Sequence, residues 1–210
     1  MNQLNKISHD IAQRVGPVIG VAVPEPDPEY YHNDTSKGIS FLGEKLRSIA
    51  GLRVGVLATV GDQESLSQAA ELKEKFKAEG VTAFVVAERL GEGVDMTYSA
   101  TRAHAFDGVV VASGAEELFN PGVTSPLYPA GRPAQTLEDA YRWGKPIGAM
   151  GPAAKVYDST VVKEGPGVYA ADDTADLVDN FKDGLAQFKF VDRFVLDGAT
   201  QPGNTTTAEP

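Results

Sequence analysis

The 210-residue chain carries 19 Lys and Arg against 29 Asp and Glu, a formal charge of −10, and 42% of its residues are hydrophobic. That supply of apolar residues suffices for one packed domain with attached arms, and the negative charge without a basic block argues against partners with phosphate backbones or anionic lipid. With no cysteine, a disulfide framework, a Cys-based zinc site and a thiolate nucleophile are all excluded.

His9, His32 and His104 lie far apart and share no H-x-x-x-H or H-E-x-x-H frame. A metal or haem site built within this chain is therefore not expected. No run approaches the roughly 20 apolar residues that span a bilayer, and Met1–Asp10 lacks the apolar core of a signal peptide. A chain without membrane contact is the expectation.

Residues 1–50 read as an extended linker arm. A helix is expected over Ile7–Val15, stopped at Gly16-Pro17. Val23–Pro28 then places three prolines in six residues, which favours polyproline-like extension. Tyr30 and Tyr31 precede the polar stretch Asn33–Gly38. Paired tyrosines and regular Val and Ile point to an arm docked on another domain or subunit.

Residues 51–197 read as an alternating α/β domain. Leu52–Thr59 is a near-continuous apolar run, the pattern of a strand buried on both faces. Asp62 is placed to cap a helix in which Leu66, Ala69, Leu72 and Phe76 share a face before Gly80 ends it. Val81–Ala87 completes a right-handed βαβ unit. Phe106–Val111 is a further strand, followed by a short helix at Ala115–Phe119. Thr136–Asp139 has capping-box spacing ahead of a helix closed by Gly144. Pro146–Met150 is the next strand, Val161–Val162 and Val168–Ala171 suggest a hairpin or short strands, and Asp173–Phe190 is a final amphipathic helix. Four or five strands interleaved with helices predict a doubly wound, flavodoxin-like parallel sheet. Residues 198–210 read as a disordered polar tail. Asn33-Asp34-Thr35 and Asn204-Thr205-Thr206 have the form of glycosylation acceptors.

Ligands of such sheets bind beyond the carboxyl ends of the strands. Thr59–Ser65 offers one glycine and no phosphate cradle, and Ser113 in Ala112–Glu117 is not in a G-x-S-x-G elbow, with His104 expected at the opposite end of the sheet. The third tip, Lys145–Ala154 (KPIGAMGPAA), resembles the strand and elbow of the PfpI-like, class I glutamine amidotransferase-like superfamily, and VGVLAT and FDGVVVASG fit the preceding elements. The resemblance implies a nucleophilic cysteine where this chain has Gly151. It also implies an acidic residue after the first strand, about where Ser65 falls, with Asp62 and Glu64 as nearby alternatives. No catalytic residue is expected to survive.

A narrower likeness covers nearly the whole chain. Ile7–Gly16, the proline-rich stretch, Tyr30–Phe41, LRVGVLAT and KPIGAMGPAAKVY resemble the linker and C-terminal domain of large-subunit haem catalases, fungal ones in particular. The resemblance implies that the haem, its proximal tyrosine and the catalytic His and Asn belong to an upstream core. Neither Tyr30 nor Tyr31 corresponds to the haem ligand, and this segment holds no cofactor of its own. The implied partners are the catalase core domain and neighbouring subunits of a homotetramer. Two functions follow as expectations: a noncatalytic domain that supports the tetramer and gates access to its haem channel, or an ATP-independent chaperone that holds unfolded clients. Residual hydrolase activity is a weaker third, because it needs a nucleophile.

Overall fold

The computed structural model describes residues 2–26 and 45–193. Tyr30, Tyr31, the polar stretch 33–38, both acceptor triplets and the tail 198–210 lie outside the described residues. Those described fall into two units, one within Met1–Ser40 and one within Phe41–Pro210.

The first unit holds two helices, α1 (Asn2–Ile7) and α2 (His9–Val18). Ser8 separates them: its extended backbone begins a new helix, and its Oγ accepts from the Ile11 amide. The expected stop at Gly16-Pro17 does not occur. Pro17 falls in the last turn of α2, where its missing N–H forfeits only a terminal bond, and the chain turns at Gly20 (φ +67°) instead. Residues 21–26 then run back along the helix. The Val21 amide donates to Gly16 O (2.9 Å) and the Asn5 Nδ2 donates to Glu25 O (2.9 Å).

The second unit is a six-stranded, all-parallel sheet of order β3-β2-β1-β4-β5-β6. The strands are β1 (Arg53–Leu57), β2 (Thr82–Ala87), β3 (Met96–Thr97), β4 (Gly108–Val111), β5 (Ile147–Met150) and β6 (Val168–Ala171). Helices α3 (Gln63–Ala78), α4 (Arg132–Arg142) and α5 (Thr174–Gln187) cover its faces. This is the predicted flavodoxin-like arrangement, with β1 and β4 flanking the point where strand order reverses. Alternation along the strands divides the core. Leu57, Val109, Val111, Ile147 and Ala149 point to the layer of Leu137 and Ala140 from α4. Val54, Val56, Val85, Val110 and Met150 pack with Ala69, Leu72 and Phe76 of α3 and Leu177 and Phe181 of α5. Phe76 and Phe181 meet edge to face at 5.7 Å.

Three local expectations are corrected. Thr136 does not cap α4: the helix begins a turn earlier at Arg132, with Pro133 pre-setting its first turn, and the Thr136 hydroxyl donates back to Arg132 O (2.9 Å) from inside the helix. Val161–Val162 forms no strand; Val162 is buried in a loop, and β6 pairs in parallel with β5. The last helix stops at Gln187, where Phe188 takes a positive φ of 66° and Phe190 turns its amide onto Gly144 O (2.7 Å). The edge strand β3 has only two residues, too short to announce itself in the sequence.

Candidate functional site

Asp62, Glu64, Ser65, Ser113 and Gly151 lie beyond the carboxyl ends of β1, β4 and β5, and His104 does not. Thr59 follows β1, and Ser65 and Glu88 hold it and the residue after it. The Thr59 amide donates to Ser65 Oγ (3.3 Å), its hydroxyl to Glu88 Oε1 (2.5 Å), and the next amide, Val60, to Glu88 Oε2 (2.9 Å). Ser65 is fully buried by this closure of the β1-to-α3 turn. At the position where the resemblance implies an acid, the chain therefore has an internal hydroxyl acting as a backbone acceptor. The carboxylate at this tip is Glu88, which sequence reasoning missed; an acidic residue directly after an otherwise apolar strand was its only signal. Buried Tyr98 donates to Ala58 O (2.8 Å). Burial, with Glu88 and Tyr128 adding to it, pushes the Tyr98 phenol well above its ordinary pKa, so it stays a donor.

Asp62 caps α3 by accepting from the Glu64 amide (2.9 Å). Its other oxygen lies against Gly114, where a Cβ would come within 2.2 Å of it. Gly114 also has φ +84°, so both the backbone and the close approach require glycine. Glu64 is exposed in the first turn of α3. The Ser113 amide donates to Gln68 Oε1 (2.7 Å). His104, in the 3-10 turn Ala103–Ala105 ahead of β4, lies at the opposite end of that strand from Ser113, which leaves the serine without this histidine as a base.

Gly151 opens the 3-10 helix Gly151–Tyr157 directly after β5, with φ +47°. That is the sharp strand-to-helix turn on which elbow nucleophiles sit. A Cβ there would meet no clash, making ordinary contact 3.6 Å from Asp172 Oδ1 and 4.0 Å from Ser113 Oγ. The position thus keeps the direction of a nucleophile while supplying none. The residue after an elbow nucleophile normally gives an oxyanion hole one of its N–H groups. Here it is Pro152, which has none, and the Ser113 amide is already engaged by Gln68. At this tip Gly151 supplies no attacking atom and Pro152 no N–H. Among the described residues, no group of three or more His, Asp or Glu is arranged to hold a metal ion.

Beyond the elbow, an open groove of about 760 Å³ runs between the same 3-10 helix and β6. Lys155, Asp158, Lys163 and Glu164 line it, so the charges of both signs cancel along its walls.

Residues 50–195 match the model of the C-terminal domain found in long catalases. The chain is 50% identical over 200 residues to Catalase-3 of Neurospora crassa, covering 94% of this chain and 28% of that protein. It is 47% identical over 201 residues to Catalase B of Emericella nidulans and 46% identical over 198 residues to a catalase of Blumeria hordei, in each case over 93% of this chain. The chain spans about 28% of the length of these relatives.

Proposed function

The chain belongs to the family of C-terminal domains of long catalases, and from that membership we propose that it is a noncatalytic domain of a large-subunit haem catalase. The longer protein decomposes hydrogen peroxide at a haem held elsewhere. This domain contributes stability to the subunit and to the assembly of its homotetramer. The observation that carries this reading is the elbow, where a turn suited to a nucleophile holds Gly151 followed by Pro152. A domain freed from chemistry at its ligand end still presents two packed apolar layers and a rigid parallel sheet. The direct test mixes this chain with haem and peroxide. It predicts no stoichiometric binding, no shifted Soret band and no turnover. Turnover by the chain alone would overturn the reading.

A second reading, ATP-independent chaperone action, is favoured by the first unit. Ile7 and Val18 are 75% and 85% exposed, and Ile11, Ile19 and Val21 are exposed beside them. Apolar side chains in that number either meet a partner within the longer protein or hold other exposed chains, and a charge of −10 opposes self-association. Suppression of a heated client's aggregation at equimolar ratio, weakened by deletion of residues 1–38, is the expected result. Equal protection by the truncated chain would move the client surface to the sheet domain.

A further inference from the structure

The two edges of the sheet are finished differently. Edge strand β3 has two residues, which leaves little for another strand to pair with. Edge strand β6 has four, Val168-Tyr169-Ala170-Ala171, registered along their whole length on β5. None of the four is charged or proline, and no bulge interrupts the pairing, so β6 carries none of the devices that usually blunt an edge.

The ladder fixes which backbone groups of β6 face outward. The Ile147 amide donates to Gly167 O (2.9 Å), and the parallel pattern then turns the amide and carbonyl of Tyr169 and the amide of Ala171 toward β5. Val168 O and both the N–H and C=O of Ala170 therefore point away from the sheet, while the Val168 amide is taken by Gly165 O (3.0 Å). Ala170 is exposed, and among the described residues nothing bonds to its outward groups. The open groove of about 760 Å³ runs along this edge, with Val168, Tyr169 and Ala170 on one side of it.

A row of unused N–H and C=O groups is satisfied by another extended backbone. Ala170 offers one donor and one acceptor together. An antiparallel copy of β6 centred on Ala170 would exchange both bonds with it across a two-fold axis, and each Val168 C=O would face position 172 of the other copy. Charge favours the same occupant. The chain as a whole carries −10, which sets two copies against each other, but the groove beside β6 holds two lysines, Lys155 and Lys163, against two carboxylates, Asp158 and Glu164. Two copies can meet along this locally neutral edge without like-charge repulsion.

We propose that β6 is a self-association edge, pairing antiparallel with β6 of a second copy of this chain so that two six-stranded sheets join with Ala170 beside the axis. The pairing needs nothing from the longer protein and stands apart from the assembly reading above.

The test exploits the absence of cysteine from the natural chain. Opposed residues of a hydrogen-bonded antiparallel pair have Cα atoms about 5.5 Å apart, within disulfide reach. Under diamide, Ala170→Cys should form a disulfide-linked dimer at least roughly tenfold faster than Ala78→Cys, whose thiol is exposed at the end of α3 and is not held against its copy. In sedimentation velocity the natural chain should show a concentration-dependent dimer. Ala170→Pro removes only the outward N–H and leaves the β5–β6 ladder intact, so it should raise the dimer's Kd roughly tenfold or more with an unchanged far-ultraviolet circular dichroism spectrum. A natural chain that sediments as a monomer at every concentration would overturn the proposal. So would equal crosslinking of the two cysteine variants, or a dimer that Ala170→Pro leaves unchanged, which would put self-association on another surface.

Discussion

At Gly151 the backbone keeps a turn whose usual occupant is gone, and the next residue removes an amide as well. These two features give a prediction that separates a missing nucleophile from a missing environment. Gly151→Cys should alkylate slowly with iodoacetamide near pH 6 and should not hydrolyse p-nitrophenyl acetate, because Ser113 and Asp172, its nearest neighbours, offer no cation to stabilise a thiolate. Adding Pro152→Ala restores one N–H and should still yield no turnover. Fast labelling of the single variant would show that the tip remains poised for chemistry. Lys145 gives a second prediction. It is buried, donates to Ala103 O (2.8 Å) and Phe106 O, and burial, reinforced by Lys189, lowers its pKa from 10.5 to about 8. Between pH 8 and 10.5 the unfolded chain therefore binds more protons at this site than the folded one, and the site's contribution to stability rises with pH through that window. Relative to Lys145→Met, the natural chain should gain up to about 1.4 kcal/mol per pH unit between pH 8.5 and 10 in urea titrations. Parallel profiles for the two proteins would contradict the burial argument.

The elements differ in how they are closed, and the differences decide which of them could be read from the sequence. Asp173 caps α5 by accepting from the Ala175 (2.7 Å) and Asp176 (3.3 Å) amides. Asp173→Ala should cost about 1 kcal/mol, measured by denaturant midpoint. Gly114→Ala forces a Cβ onto the Asp62 carboxylate and into an unfavourable φ, which disturbs the α3 cap across the crevice. A loss of about 2 kcal/mol or more is expected; an unchanged melting temperature would mean that the two tips do not close as described. The strands β1, β2, β4 and β5 were legible because burial on both faces writes a continuous apolar run. Helices α3 and α5 were legible because Asp62 and Asp173 cap visible stripes. The start of α4 was not, since Thr136 offered a capping pattern while Gly131 and Pro133, one turn earlier, set the actual start. Edge strand β3 has too few residues for a period. At the site, Gly151 was readable by comparison with a family strand. Glu88, Gln68 and Asp172 were not, because their roles depend on which strand tips the topology brings together, and sequence spacing does not record that.

Over the whole molecule, the sheet unit has two packed apolar layers, and the strand tips after β1 and β4 are engaged by Ser65, Glu88 and Gln68. The first unit shows the opposite character, with short helices whose apolar residues face outward. On the reading proposed above, those residues meet a partner within the longer protein. The measurement that tests the central claim compares the longer catalase with and without the segment equivalent to residues 51–197. Peroxide turnover per haem at 25 °C should be unchanged by the deletion, while the melting temperature falls and the tetramer dissociates at higher protein concentration. A deleted protein that keeps its stability and its tetramer but loses turnover would place this domain in the chemistry and contradict the account.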